Sequence, residues 1–422
     1  MRRSAPFLGL ALSALLLLFL TAPSGAAASD GGQEAGAPSG PTEFVVLVLE
    51  GVSSADVARV DTPNLDALAP RSMRFDGLQV DPSAPPTRFA LTFGAYGSRE
   101  SIGGAIWPNK APRGVPVRRI ALPQVLATRG YRTALVGRWG LSSQADGFPP
   151  ESARRFGFQT WRAGRAYDAS VVDRRIPRGR DRVDDGQTSP FGEHEGLAVT
   201  DAFGAYWSEP SSRPRFALVI VPDTSAVAPP PSALLPADLV VGDDDRSRWD
   251  AQTLAADAIV GRVKAAIDPA RTTLFVLLEP RATESDTLAA IDGAMLVAGR
   301  GVTAGTSPTL CHPVDVPRTI LALAGCEVPA GQFEDGVDLS AALGGGTVEH
   351  GPVLCRAFEP NGPGPNDSGR SAAVSQDGVV LVTEGAQERA VDLARSPESA
   401  PAIPLDDPRL ETLRAFPLSI ER

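Results

Sequence analysis

The chain has 422 residues and a formal net charge of −10, with 43% hydrophobic, 6% aromatic and 21% charged residues. That apolar content excludes wholesale disorder, and three cysteines exclude a disulfide-built miniprotein. An acidic balance without a dominant basic stripe argues against nucleic acid as a partner. Lys110 and Lys264 are the only lysines, and His194, His312 and His350 the only histidines. Residue types that carry much of hydrolytic chemistry are therefore scarce.

Taken in order, Arg2 and Arg3 precede an apolar run over residues 6–20, and small residues follow up to Ala28. This pattern reads as a secretory signal over residues 1–28, so the product is expected to be exported, periplasmic or extracellular. A membrane association enters only if the signal stays uncleaved, since the run is shorter than the ~20 residues that span a bilayer. Residues 29–42 are rich in Gly, Ala, Pro and Ser and read as a flexible tether.

Five short apolar runs follow: Phe44 to Leu49, Thr133 to Val136, Phe216 to Val221, Thr273 to Leu278 and Ala294 to Ala298. They are continuous rather than alternating, as in strands buried on both faces of a sheet. Helical patterns lie between them: Asn64 to Leu68 after Thr62-Pro63, Leu122 to Arg129 closing on Gly130, and Asp250 to Ile267 stopped by Pro269. The alternation predicts an α/β fold with a mainly parallel central sheet and helices on both sides, over residues 43–343. The acidic run Asp243 to Asp245 reads as the lead-in to the long helix. Between Trp161 and Thr200 the character changes, and the basic run Arg174 to Arg180 reads as a solvated insertion loop. From residue 344 to 422 the pattern thins to strand-like pieces, Val353 to Cys355 and Val379 to Thr383, with a last helix near Arg409 to Phe416: a small C-terminal subdomain. In an oxidising compartment one of Cys311, Cys326 and Cys355 must stay unpaired. Cys311 and Cys326 flank a helix, too far apart for a direct bridge, and pairing of Cys355 with either is left open.

Several segments, in order, resemble the sulfatase family of the alkaline phosphatase superfamily. Thr62-Pro63-Asn64-Leu65-Asp66-Ala67-Leu68 matches the family's T-P-N-L-D-x-L. Gly130-Tyr131-Arg132-Thr133 leading to Gly137-Arg138-Trp139-Gly140-Leu141 is similar to G-Y-x-T…G-K-W-H-L-G. Asp315-Val316-Pro317-Arg318-Thr319 through Gly325 resembles V-D-x-x-P-T-x-L-x-L-A-G, and Asp335-Gly336-Val337-Asp338-Leu339 resembles D-G-x-S-L. The resemblance implies an alkaline-phosphatase-like three-layer sandwich. It also implies attack on sulfur by formylglycine, made from Cys or Ser in C-x-P-x-R, with calcium polarising the sulfate.

The motif positions depart from that chemistry. C-x-P-x-R aligns with Ala84-Pro85-Pro86-Thr87-Arg88, so alanine stands in the nucleophile's place and only the arginine remains. Glu50 and Gly51 stand where the family has two metal-binding aspartates. Arg138 replaces the lysine and Gly140 the histidine of G-K-W-H-L-G. Pro222-Asp223 replaces P-H, and Glu279-Pro280-Arg281-Ala282 replaces S-D-H-G. No calcium or other cofactor is expected, because so few oxygen ligands remain for an ion that wants six to eight. Arg88 and Arg138 are the anion-binding candidates. In the other reading Arg88 pairs with Glu50, and Arg138 with Asp223, once the metal has gone. Thr87 as a hydroxyl nucleophile would need two metals to activate it. His194 reads as a surface residue in a polar loop, and His312 as a cap before a helix. The expected function is that of an exported, catalytically inactive homologue that binds or scaffolds an anionic small molecule or sulfated glycan. The alternative is an active sulfuric-ester or phosphoric-ester hydrolase with a rearranged site.

Overall fold

The computed structural model describes residues 42–104, 115–141, 151–164, 182–185, 187–189, 194–224, 229–281, 286–358, 369–393 and 401–420. The expected signal and tether, the basic run 174–180 and Lys110 lie outside the described residues.

Fifteen strands are described. They are β1 (Glu43–Glu50), β2 (Ser72–Phe75), β3 (Arg132–Gly137), β4 (Thr160–Arg162), β5 (Arg182–Asp184), β6 (Gln187–Ser189), β7 (Arg215–Val221), β8 (Thr272–Glu279), β9 (Ala294–Gly299), β10 (Gly305–Ser307), β11 (Val353–Ala357), β12 (Arg370–Val374), β13 (Val379–Glu384), β14 (Gln387–Asp392) and β15 (Ala402–Ile403). The helices used below are α1 (Ser54–Val57), α2 (Pro63–Leu68), α3 (Ala84–Phe93), α4 (Leu122–Thr128), α5 (Glu195–Ser208), α6 (Asp245–Ala266), α7 (Asp315–Leu323) and α8 (Arg409–Ile420).

Eight strands form the main sheet in the order β10-β2-β9-β8-β1-β7-β3-β4. At its centre β1 runs parallel to both β7 and β8, and β3 runs parallel to β7 and β4. β9 turns antiparallel against β8, so the sheet is mixed beyond that point. Alternate residues of β1 feed two cores. Phe44, Val46 and Val48 pack with Phe89 and Phe93 of α3, Leu126 of α4 and Ile320 of α7. Val45, Leu47 and Leu49 pack with Leu65 of α2, Phe203 of α5 and Ile259 of α6. A strand buried on both faces needs an unbroken apolar run, which is why the five runs in the sequence all became central strands. The short strands β4 and β10 at the two edges, and β2 next to β10, carry no such run. β2, Ser-Met-Arg-Phe, holds an exposed arginine between buried neighbours.

The long helix begins at Asp245, five residues before the apolar periodicity does. The reason is a cap: the Asp244 side chain accepts from Ser247 N at 2.9 Å. Towards the C-terminus β11 to β15 form an antiparallel five-stranded sheet. One face packs on Ile291 and Leu310 of the main body. The other packs on Leu410 and Leu413 of α8. Cys311, Cys326 and Cys355 are all buried free thiols, so none of the pairings left open is formed. No helix among the described residues is long and apolar enough to cross a membrane.

Candidate functional site

The carboxyl ends of β1, β8, β7 and β3 meet the amino end of α3, and the sequence candidates sit at that edge. In open parallel sheets this crevice is where ligands bind. Glu50 ends β1 and Glu279 ends β8, directly opposite each other in register. Gly51 and Pro280 follow them. Asp223 lies two residues past β7, and Arg138 and Gly140 follow β3. Ala84 is the first residue of α3, with Thr87 and Arg88 in the helix's next turn.

Arg88 is 1% exposed and Glu50 6%. The Arg88 guanidinium donates from Nε to Glu50 Oε1 at 2.9 Å and from Nη2 to the same oxygen. Glycine at 140 makes room for it. Gly140 has φ +69°, and a Cβ there would lie 2.0 Å from Arg88 Nη1. The position aligned with the family's histidine is therefore overlain by the arginine itself. A parallel substitution occurs at Gly51, which has φ +77°. A Cβ there would lie 2.4 Å from Asp223 Cγ, so the Asp223 side chain closes over the end of β1.

Glu279 completes the group. Burial pushes its carboxyl well above the ordinary value, and the Glu50 charge pushes it further. Arg88 and the nearby Thr87 hydroxyl pull the other way without prevailing. A carboxyl in this setting favours its protonated form. Glu279 Oε2 is buried and makes no hydrogen bond among the described residues, and the buried Thr87 hydroxyl lies beside this carboxyl.

Arg138, 4% exposed, donates from Nε to Glu195 Oε2 at 3.1 Å. Glu195 opens α5 and carries no family motif, so sequence reading overlooked it. His194, just before it, is not the solvated loop residue expected. Its Nδ1 accepts from Gly196 N at 3.2 Å, and its Nε2 meets Thr224 Oγ1 at 2.8 Å. Thr224 in turn donates to Gln252 Oε1 at 3.2 Å. The ring caps α5 in a neutral state, and burial lowers its pKa against the opposing Glu195 charge. The signal was available: a polar residue directly before the helical run is a cap position.

Arg281, after Pro280, turns away from Glu279. It donates from Nη1 to Asp56 Oδ2 at 2.8 Å and stacks on Trp249 at 4.6 Å. The sequence offered no reason to single out Asp56, since its partner is 225 residues away. His312 lies at the head of α7, where its Nδ1 accepts from Val314 N at 3.3 Å and its Nε2 sits 3.5 Å from Asp81 Oδ2. Trp139 packs beside Phe156 and Phe158 in the core.

These residues do not fit the calcium that the resemblance implies. Glu50 already receives two N–H groups of Arg88, so a fixed guanidinium charge stands where a divalent cation would need oxygens. A cation bound to Glu50 would have to displace that guanidinium and leave Arg88 buried beside it. Among the described residues there is no cluster of three or more His, Cys, Asp or Glu side chains that could hold a metal.

The family model described as Sulfatase matches residues 43–326, most of the chain. The chain belongs to the sulfatase family. It is 35% identical over 92 residues to arylsulfatase A of Homo sapiens, a stretch covering 21% of this chain and 18% of that protein. The match thus spans under a fifth of the relative's length. Among solved structures, that of Ps i-CgsB in complex with k-i-k-neocarrahexaose has a TM-score of 0.73 at 16% identity, covering 90% of this chain and 93% of that one. A structure solved with its substrate D-glucosamine-2-N,6-O-disulfate has a TM-score of 0.66 at 15% identity, covering 90% and 96%. At these identities the likeness is one of fold.

Proposed function

We propose that this member of the sulfatase family does not hydrolyse sulfate esters and instead binds or scaffolds a sulfated glycan outside the cell. The observation that carries this reading is the Glu50–Arg88 pair, with Arg88 seated over Gly140. Sulfuryl transfer needs a nucleophile, a cation and proton donors converging on one sulfur. Ala84 supplies no nucleophile, and the guanidinium engages Glu50 where the cation would sit. Gly140 supplies no imidazole. Export rests on the signal-like residues 1–28.

Glycan binding is supported by the kinship of fold with proteins solved on carrageenan and sulfated glucosamine ligands. In this reading the crevice rim selects the ligand, while the buried arginines stay committed to Glu50 and Glu195. A second reading, an active sulfuric-ester or phosphoric-ester hydrolase, draws on one observation: the buried Thr87 hydroxyl beside Glu279. That hydroxyl would need metal ions to activate it, and the Arg88 guanidinium engages Glu50 where one would bind, which favours the first reading.

The test is binding and turnover measured side by side on the purified chain. Sulfated carrageenan and glucosaminoglycan oligosaccharides are expected to raise the melting temperature saturably, with no release of sulfate. Desulfated oligosaccharides that bind equally well would remove the sulfated-glycan part of the proposal. Sulfate release at enzymic rates would remove the rest.

A further inference from the structure

A second cavity lies at the opposite end of β8, away from the crevice. Its volume is about 410 Å³, within the range of small-molecule sites. Leu68, Leu274 and Ala298 form apolar walls, and Arg71, Lys264 and Thr272 supply the polar groups. The walls follow from the fold. Thr272 and Leu274 share one face of β8, Ala298 is Leu274's neighbour on β9, and the ends of α2 and α6 close over them.

Three features of the polar groups point to one ligand chemistry. Thr272 is fully buried, and its Oγ1 has no hydrogen-bond partner among the described residues. A hydroxyl in that state is a donor waiting for an acceptor. Arg71 and Lys264 border the same space, and neither forms an ion pair with a carboxylate among the described residues. Lys264 Nζ donates to Asn64 O at 3.0 Å, which uses one of its three N–H groups. Asp257, the acid whose charge acts on Lys264, is occupied by Asn64 N at 3.1 Å, Asn64 Nδ2 at 2.8 Å and Leu65 N at 2.8 Å.

This is unusual in a chain of net charge −10, where most described arginines sit on carboxylates. Burial lowers the Lys264 pKa, and the Arg71 charge lowers it further, against Asp257. Two like charges held together across an apolar space would relax if an anion entered between them.

We infer that this cavity binds a small amphipathic carboxylate, an alkyl chain against Leu68, Leu274 and Ala298 with its head group on Arg71, Lys264 and Thr272. The alkyl part gains from the walls and the carboxylate from two cations and a hydroxyl. A neutral or cationic head group gains little. The inference is independent of the crevice and stands whether or not the chain turns over sulfate esters.

Octanoate is a suitable probe, because it is short and fully ionised at neutral pH. Acetylation by an amine-reactive ester, read by mass spectrometry, reports on the two lysines separately, with Lys110 as internal reference. Octanoate is expected to slow acetylation of Lys264 saturably, while octanol, octylammonium and acetate do not. By titration calorimetry, Arg71→Gln and Thr272→Val are each expected to weaken octanoate binding about three- to tenfold. Arg71 is exposed, so its variant keeps the fold, and the Thr272 variant is isosteric. Unchanged Lys264 reactivity at saturating octanoate would overturn the inference. So would equal protection by acetate or octylammonium, or undiminished affinity in both variants.

Discussion

Two buried carboxylate clusters, about equally hidden from water, are built in opposite ways. At the head of α7, Asp315 is saturated. Its oxygens accept from His312 N at 2.7 Å, Val337 N at 2.7 Å and His350 Nε2 at 3.1 Å. At the carboxyl ends of β1 and β8, Glu50 accepts two N–H groups of Arg88 on one oxygen. Beside it Glu279 Oε2 makes no hydrogen bond among the described residues. A carboxylate whose oxygens are engaged on several sides is a structural joint, here tying α7 to the loops around Val337 and His350, even though the His312 Nε2 beside it makes no hydrogen bond among the described residues. One left half-satisfied marks a place where stability was not the governing demand. In this chain the half-satisfied cluster occupies the edge where the sulfatase family keeps its chemistry.

Substitutions can sharpen that contrast. The largest effect is expected at Arg88→Met, which takes the guanidinium away from buried Glu50. Chemical denaturation should show a loss of about 3–5 kcal/mol, with most of it restored in the Glu50→Gln/Arg88→Met double variant. Recovery in the double variant is the signature of an ion pair that can be replaced. Asp315→Ala should cost about 2–3 kcal/mol, with no single partner substitution restoring it, because several donors lose their acceptor together. Gly140→Ala places a methyl group against the Arg88 guanidinium at a left-handed φ. A loss of about 2 kcal/mol is expected, smaller in the Arg88→Met background, where the collision is relieved.

The smallest effects are in pH dependence, and two histidines should give opposite signs. The His350 pKa is raised: burial opposes protonation, but the bond and charge of Asp315 prevail, helped by Gly351 O. Its contribution is fully present below the unfolded value of about 6.5 and is lost as pH rises through the higher folded value. His350→Gln should remove that loss. His194 runs the other way, with a pKa lowered by burial. Its contribution is present above about 6.5 and is lost as pH falls through the lower folded value, a slope that His194→Asn should flatten. Stability measured across this range for both variants checks the signs.

The unequal legibility of the sequence has physical roots. Residues 44–49 and 273–278 became central strands because burial on both faces forces continuous apolar composition, which any reader of the sequence meets directly. The positions of Glu50, Arg88 and Glu279 followed from motif order. The Glu50–Arg88 pair, across 38 residues, was among the readings of the sequence, because a buried carboxylate without its metal needs a cation, whereas Arg281 and Asp56, across 225, offered no such reason. Charge partners at such range carry no local pattern. Glu195 as the partner of Arg138 was hidden for the same reason. His194 shows a different failure: its polar neighbours suggested solvent, whereas its place before the apolar stretch of α5 was the better guide. β10 at the sheet's edge and β2 next to it are too short for periodicity to register.

The central claim is that the crevice at β1, β8 and α3 is closed to sulfuryl transfer, and turnover of an aryl sulfate by the purified chain tests it most directly. With calcium supplied in excess, the rate is expected to stay at that of buffer and to be identical in wild type, Thr87→Ala and Arg88→Met. Saturable turnover in the wild-type chain, abolished by Thr87→Ala, would contradict it.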